Sequence, residues 1–352
     1  MMKAIVTVGD GTFKLQDIDV PALGLGQVLV KVVSVAQNPT DWKTLLLHTR
    51  PGNILGCDFA GTVVALGPEV PSGLRKLDEM VAGCVHGGIS PNGAFAEYVA
   101  VDAALLIPIP NTMSFEHAAQ LGVACFTTCQ ALYQTLHLPA PLAPSSEQPG
   151  EPILIWSGTS ATGQYAVQFA KLGGLRVLST ASPRHFDLVR ALGADAVFDY
   201  ADSYSPRRIC AEAGGKLRYA VDCISEGMTL TQVSMSLGKE GGTIATLLPY
   251  ESRRRDAPVE TIFVLAYSMF GKAVEFPFEY PQNADHYENG KVYAKLIAEL
   301  LDRGALKPVP MRLYPHGLAS VKEGLEDMKD GKVHAEKVTY RIADTPGLGS
   351  TK

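Results

Sequence analysis

The second half of the chain alternates between two periodicities, and few folds accept that rhythm. Short β-rich runs fall at 153–156, 177–180, 196–198, 219–223 and 243–248, with helical stretches such as 163–172 and 186–192 between them. Neighbouring parallel strands need a long crossover, and a helix supplies it while covering one face of the sheet. The alternation therefore predicts a parallel sheet with helices on both faces. The first run, Ile153-Leu154-Ile155-Trp156, passes into Ser157-Gly158-Thr159-Ser160-Ala161-Thr162-Gly163, which ends the strand and opens a helix. Backbone N–H groups at such a helix start face a ligand, and the helix dipole favours a pyrophosphate there. The turn departs from GxGxxG: Ser160 stands where a second glycine usually lets the backbone approach the phosphates. Its hydroxyl is read as a donor to a phosphate oxygen.

The tip of the second strand selects the cofactor. A carboxylate there accepts from the ribose 2′-OH of NAD. This chain instead reads Ser179-Thr180-Ala181-Ser182-Pro183-Arg184-His185. Ser182 is placed as an N-cap with Pro183 at the first helical position. Ser182, Arg184 and His185 can then surround a 2′-phosphate with donors and positive charge, and NADPH is the expected cofactor. The plainer alternative is an ordinary helix start with a solvated arginine.

Before residue 110 the pattern is different. Gln27-Val-Leu-Val-Lys-Val-Val-Ser-Val35, Gly61-Thr-Val-Val-Ala-Leu66 and Gly93-Ala-Phe-Ala-Glu-Tyr-Val-Ala100 are short strands bounded by turn formers. Several such strands suggest a partly closed β-barrel. Residues 111–138 turn helical, with Ser114 as a cap. Residues 139–152 hold five prolines together with Ser145 and Ser146, which suits a link or decoration at a domain junction. Helices at 292–301 and 318–329 precede a last strand, 337–342, that returns to the first domain. The expected class is α/β: a β domain over 1–125 completed by 295–352, and an NADPH-binding, doubly wound domain over 126–294.

Composition excludes several alternatives. A net charge of -5 without a basic face argues against a general nucleic-acid binder. No apolar run approaches the length of about 18 residues that spans a bilayer. Met1-Met2-Lys3 leads straight into Ala4-Ile5-Val6-Thr7-Val8, which reads as a strand rather than a cleavable leader. The six cysteines, at 57, 84, 125, 129, 210 and 223, form no CxxC pair. They read as reduced thiols of a cytoplasmic protein, with Cys125 and Cys129 packed as small apolar residues.

Over essentially its whole length the sequence resembles the medium-chain dehydrogenase/reductase superfamily. Gly56-Cys57-Asp58-Phe59-Ala60-Gly61 aligns with the segment where zinc alcohol dehydrogenases carry Gly-His-Glu. Asn38-Pro39-Thr40-Asp41 aligns with their first-ligand segment but lacks its cysteine. A catalytic zinc takes three protein ligands, and the structural four-cysteine lobe is missing as well, so no metal is expected. A site rebuilt from Cys57, Cys84 and His86 is the competing reading, against packing as the role of Cys57.

Among zinc-free branches, the chain is most similar to the fungal trans-acting enoyl reductases that serve highly reducing polyketide synthases. The marks are Asn38-Pro-Thr-Asp-Trp-Lys43, Gly56-Cys-Asp-Phe-Ala-Gly61, Ser182-Pro-Arg-His-Phe-Asp187, Val197-Phe-Asp-Tyr200 and Tyr219-Ala-Val-Asp-Cys-Ile224. The resemblance implies a GroES-like barrel beside a Rossmann domain. It also implies reduction of an α,β-unsaturated thioester held on the acyl-carrier domain of a polyketide synthase, alone or as a hybrid with a peptide synthetase. Carried over by position, it puts Thr40, Asp41, Trp42, Lys43, Ser160, Ala161, Thr162, Gly163, Ser182, Pro183, Arg184, His185, Tyr200, Leu247, Leu248, Glu336 and Lys337 at the cofactor. It puts Thr128, Cys129, Gln130, Ala131, Leu132, Tyr133, Gln134 and Thr135, then Ala266, Tyr267, Ser268, Met269 and Phe270, along the acyl chain. Gly163 departs from relatives that carry another residue there.

The chemistry needs geometry, a polarised thioester oxygen and a proton for the α-carbon. Lys43 is the candidate for orienting the cofactor or polarising the carbonyl, against a solvated loop lysine. Thr128 is the candidate for a substrate or cofactor hydrogen bond, against a bond to its own helix backbone. Asp41 has capping of a turn as its plainer role. The apolar stretch 262–270 reads as a tunnel wall or as a buried core helix. Arg253-Arg254-Arg255 reads as a docking patch for an acidic carrier domain or as a solvated loop. No proton donor is named by the sequence. Two other functions compete: a free-standing alkenal or quinone reductase, and an NADPH-binding interaction protein without turnover.

Overall fold

The computed structural model describes residues 1–47, 50–142, 150–275 and 279–348. Residues 143–149, which hold Ser145 and Ser146 of the proline-rich segment, lie outside the described residues. Two compact units form, residues 1–123 with 267–352, and residues 124–266. The return to the first unit comes at 266/267 rather than near the expected 294, because the 3-10 turn Ala266–Phe270 carries side chains that bond within the first unit.

The first unit opens on the hairpin β1 (Met2–Gly9) and β2 (Thr12–Ile18). Next come β3 (Gln27–Ala36), helix α1 (Pro39–Leu47), β4 (Asp58–Leu66), β5 (Met80–Cys84), β6 (Tyr98–Asp102), β7 (Ile107–Pro108) and the short α2 (Phe115–Ala118). Ser114 caps α2, its Oγ accepting from the N–H of His117. α3 (Gly122–Cys129) carries the chain into the second unit, where a π-helical turn, Gln130–Thr135, follows it.

That unit is a six-stranded, wholly parallel sheet: β8 (Pro152–Trp156), β9 (Arg176–Ala181), β10 (Ala196–Asp199), β11 (Tyr219–Asp222), β12 (Gly242–Thr246) and β13 (Val259–Phe263). Their order is β10-β9-β8-β11-β12-β13. The helices α4 (Ala161–Leu172), α5 (Phe186–Ala191), α6 (Ser205–Glu212) and α7 (Thr229–Ser236) make the crossovers. β8 is buried from Ile153 to Trp156, as a strand covered on both faces must be. This order reverses direction between β8 and β11, and in open α/β sheets ligands bind at that switch point, beyond the strands' carboxyl ends. β13 is a strand that the sequence reading merged into the apolar stretch 262–270. No core helix forms there: β-branched Val259, Thr261 and Ile262 extend, and only 266–270 winds into a 3-10 turn.

The chain then completes the first unit with α8 (Ala284–Asp302), β14 (Met311–Tyr314), α9 (Val321–Lys329) and β15 (Lys337–Arg341). Its larger sheet runs β14-β15-β3-β4-β5-β7, with β6 also paired to β3. β3 serves β4, β6 and β15 because β6 pairs with its residues 27–31 and β15 with residues 34–36, and its register against β4 shifts twice. Such irregularities bend a strand and raise its twist, which curls a sheet toward closure. A core of Val30, Val32, Phe59, Val63, Phe95, Val99, Val338 and Tyr340 fills the interior.

The two glycines of the 56–61 motif have separate causes here. Gly56 has φ +92, and a Cβ on it would meet the Phe95 ring at 2.3 Å. A Cβ on Gly61 would stand 2.1 Å from the Lys31 carbonyl oxygen, backbone that cannot swing aside. Gly61→Ala should therefore lower the first unit's stability by about 2 kcal/mol, read as a thermal midpoint several degrees lower. An unchanged midpoint would mean that the β3–β4 contact is slacker than described.

Candidate functional site

The turn after β8 is built to leave backbone donors open. Ser157 adopts φ 65, bending the chain at the strand's end. Ser160 caps α4: its Oγ accepts from the N–H of Gly163 at 3.0 Å and donates to the Ser157 carbonyl at 3.0 Å. The hydroxyl is thus engaged within the turn, which corrects its reading as a donor to phosphate. The N–H groups of Ala161 and Thr162, first in α4, have no acceptor among the described residues. They supply the donors that the serine does not. A Cβ on Gly163 would lie 2.0 Å from the Ser157 carbonyl oxygen, so the turn closes this tightly only with glycine. These groups fit an anion at a helix start.

At the tip of β9, Ser182 is the N-cap of a 3-10 turn, Pro183–His185, with proline at its start as the sequence implied. Its side chain makes no capping bond, and the Arg184 guanidinium donates through Nε to His185 Nε2 at 3.1 Å. Pro183 and Arg184 are exposed. The nearest acidic residue along the chain, Asp187, pairs with Arg190. Tyr200 is half exposed, and its N–H reaches the Ala181 carbonyl, which sets it beside this turn.

Asp222, wholly buried at the end of β11, is a residue the sequence reading quoted without a role. Its carboxylate accepts from the N–H groups of Ile224 and Ser225 and from the Thr229 hydroxyl. Ser225 Oγ in turn accepts from the N–H of Leu247 at 2.8 Å. Together these bonds fix the loops that follow β11 and β12, including Leu247 and half-buried Leu248. Burial pushes the Asp222 carboxyl up, against the hydrogen bonds that hold it ionised. Thr128 is fully buried and donates to the Thr162 carbonyl at 3.3 Å. It bonds the helix of the glycine-rich turn rather than its own, so the plainer alternative for it is not the one seen. Cys129, Gln130, Ala131 and Leu132 are buried, while Tyr133, Gln134 and Thr135 are half-buried. Gln130 Nε2 reaches the Ala266 carbonyl.

In the first unit, the second candidate region surrounds the start of α1. Asn38 precedes Pro39, and the Asp41 carboxylate reaches back to accept from the Asn38 N–H at 2.6 Å. This is the backward half of a capping box, so the plainer reading of Asp41 is the one seen. Asp41 is buried, and desolvation raises its pKa to about 7 against that bond. Thr40 accepts from the Tyr267 hydroxyl at 3.0 Å. Trp42 packs on the core, with the Lys43 ammonium 5.6 Å from its ring centre.

Lys337, another of the cofactor candidates, is held within the first unit. It is buried, and its ammonium sits on the Asp58 carboxylate at 3.1 Å and on the Asn38 side-chain oxygen. Asp58 also accepts from Asn38 Nδ2 at 2.8 Å and from the Val123 N–H at 2.6 Å. Two of the ammonium's three donors are thereby engaged inside the first unit. Its neighbour Glu336 pairs with Arg312 at the surface.

The same network bears on zinc. Asp58 is engaged by Lys337, and Cys57 Sγ lies 3.2 Å from the Tyr267 hydroxyl. The His86 ring stacks on Tyr267 with centroids 3.6 Å apart and planes 9° apart. Among the described residues, no three His, Cys, Asp or Glu side chains converge on a point that could hold a metal. Burial pushes the Cys57 and Cys84 thiols up, away from the thiolate that a metal requires. These donors do not fit a cation. All six cysteines are free, and all but Cys210 are buried.

A cavity of 540 Å³ opens in this unit, lined among others by Arg50, Asn53, His86, Asn92, Tyr267 and Phe270. Of the expected acyl-chain residues 266–270, Tyr267 and Phe270 face it. Met269 is wholly buried, and Ser268 is bonded to His286 Nδ1 at 2.8 Å.

Arg254 separates from its neighbours. Its guanidinium donates to the carbonyls of Ser234 and Leu237 at the end of α7 and pairs with Asp256. It closes a helix terminus, leaving Arg253 and Arg255 exposed.

Comparison with known proteins agrees with this architecture. The Alcohol dehydrogenase GroES-like domain family matches residues 24–111, and the Zinc-binding dehydrogenase family matches residues 161–275. A trans-enoyl reductase from Alternaria alternata is 39% identical, covering 97% of this chain and 98% of its own. One from Aspergillus niger is 39% identical over 96% of each. Among solved structures, an alcohol dehydrogenase superfamily protein from Novosphingobium aromaticivorans superposes with a TM-score of 0.77 at 25% identity, over 96% of this chain and 99% of that one. The CurK enoyl reductase shares the fold with a TM-score of 0.76 at 19% identity, over 96% and 99%. The chain belongs to the trans-enoyl reductases of the medium-chain dehydrogenase/reductase superfamily.

Proposed function

We propose that this enzyme reduces the α,β-double bond of acyl thioesters carried by a polyketide synthase, with NADPH and without zinc. The observation that carries the cofactor choice is the tip of β9, where Ser182, Arg184 and His185 stand and no carboxylate would repel a 2′-phosphate. The name shared by its full-length relatives supports the reaction and the synthase partner.

When bound, the nicotinamide supplies a hydride to the β-carbon. The chain's own groups do the rest. Ala161 and Thr162 hold the pyrophosphate through backbone N–H groups at the start of α4. The Asp222 network keeps the loops after β11 and β12 in one conformation, so binding pays little ordering cost. Lys43 is assigned to the thioester carbonyl, where a cation lowers the energy of developing negative charge. Tyr267 and Phe270 form an apolar wall of the acyl pocket. Arg253 and Arg255 are the part of the arginine run left to meet an acidic carrier domain, which would raise the association rate.

Two outcomes follow. Arg184→Ser should raise the NADPH dissociation constant about tenfold, ~1.4 kcal/mol, and leave NADH nearly unchanged. Equal weakening of both coenzymes would remove Arg184 from the 2′-phosphate. Steady-state NADPH oxidation with a carrier-bound enoyl thioester, its small-thiol analogue, a quinone and a short enone should show turnover on the thioesters. Replacing Arg253 and Arg255 by Ser should then raise KM for the carrier-bound substrate only. Turnover confined to the quinone or enone contradicts the synthase reading, and tight NADPH binding without turnover contradicts catalysis.

A further inference from the structure

One wall of the 540 Å³ cavity carries more polarity than an acyl chain can use. It is built by the bend Arg50-Pro51-Gly52-Asn53, whose two end residues line the cavity. Thr7 of β1 holds this bend in place. Its buried hydroxyl donates to the Arg50 carbonyl at 2.6 Å and accepts from the Asn53 N–H at 3.0 Å. Two backbone bonds, Thr7 N–H to the Asn53 carbonyl and Gly52 N–H to the Thr7 carbonyl, complete the attachment. Asn53 is only 8% exposed, and its Nδ2 donates to the Gly88 carbonyl at 2.9 Å. That bond fixes the amide's orientation and leaves Oδ1 as an acceptor. Oδ1 accepts nothing among the described residues, yet it is not sealed from solvent, so it opens on the cavity that Asn53 lines. Arg50 and Lys272 line the same cavity. Both are exposed, and neither side chain makes an ion pair or hydrogen bond among the described residues. Of the carboxylates there, Asp102 is taken by the Tyr287 hydroxyl and the Ala104 N–H, each at 2.8 Å. Exposed Glu275 pairs with neither cation.

We infer that this wall is the subsite for the phosphopantetheine arm that carries the substrate thioester, an assignment that rests on the enoyl-thioester reading above. The cavity offers three things together: apolar surface, one inward acceptor and two unpaired cations. A bare acyl chain matches only the first. The arm matches all three, since it has apolar carbons, amide N–H groups and a phosphate at its far end. Asn53 Oδ1 accepts from one amide N–H, and Arg50 with Lys272 takes the phosphate. The acyl carbons lie against Tyr267 and Phe270 within the same cavity. Because Thr7 fixes the bend before substrate arrives, the Asn53 acceptor is ordered at little cost on binding. The cations are exposed, so their pull on the phosphate is screened by salt. The arm is common to all acyl chains that a carrier presents. The subsite therefore selects carrier-type thioesters without selecting the chain.

The test compares thioesters of one enoyl acid on pantetheine, on 4′-phosphopantetheine, on coenzyme A and on the carrier domain. With the unaltered enzyme, KM for the phosphopantetheine and coenzyme A thioesters should lie about tenfold below that for pantetheine, at similar kcat. Raising the salt concentration should narrow that gap. Arg50 and Lys272 are exposed, so replacing both by Ser should keep the thermal midpoint and the NADPH dissociation constant. This variant should raise KM about tenfold for the three phosphate-bearing substrates and leave the pantetheine thioester unchanged. Asn53→Ala should raise KM about fivefold for all four, with kcat kept. An unchanged KM in folded Asn53→Ala removes the amide contact. Equal KM with and without the phosphate in the unaltered enzyme overturns the assignment while the enoyl reading stands. A loss in the Ser variant confined to the carrier-bound substrate also overturns it, because the cations then meet the carrier's surface. Failure to reduce any of the thioesters removes the enoyl reading itself.

Discussion

Burial of one ion pair organises the first unit. Lys337 opens β15 and Asp58 opens β4, strands far apart in sequence, and their charges meet where water does not reach. Such a pair is tolerable only when the remaining lone pairs and protons are taken up. Asn38 satisfies this by donating to Asp58 and accepting from Lys337, and the Val123 N–H covers the other carboxylate oxygen. Asn38 also heads α1, so the pair fixes where Thr40, Asp41 and Lys43 begin. Cys57, which immediately precedes Asp58 and β4, has its Sγ 3.2 Å from the Tyr267 hydroxyl.

The second unit solves a different problem, holding a polyanion with few charges. Its turn after β8 offers backbone N–H groups, and a cationic group, Arg184, stands at the tip of β9. Ser160 shows how a substitution in a glycine-rich motif is accommodated: the side chain closes the turn from inside and leaves the ligand face to the backbone. The last glycine of the pattern is kept at position 163, where the strand-end carbonyl leaves no room for a side chain.

Much of this was legible in the sequence because periodicity and turn chemistry act locally. The βα rhythm, the helix cap at Ser114, the proline-started turn at 183 and the missing carboxylate after β9 each follow from a few neighbouring residues. What was not legible depends on partners far away in the chain. A lysine at 337 looks like a surface residue until Asp58 is found opposite. Cys57 could be packing or ligand until Tyr267 arrives 210 residues later. Arg254 differed from Arg253 and Arg255 only through the carbonyls at the end of α7. β13 was hidden because its apolar end runs into the 3-10 turn without a breaker. One clue was available: charged residues at 58 and 337, each flanked by apolar runs, are candidates for pairing with one another.

The dependence of the first unit on its ion pair is tested most directly by a double-mutant cycle of Asp58→Asn and Lys337→Met, read by denaturant unfolding of that unit. Each single change strands a polar or charged partner in the interior and should cost about 3–5 kcal/mol. The double variant should recover a good part of that loss, with a coupling energy of about 2 kcal/mol or more. Additive costs would contradict the pairing, and near-zero costs would mean that the Cys57–Tyr267 region is positioned by something other than these two charges.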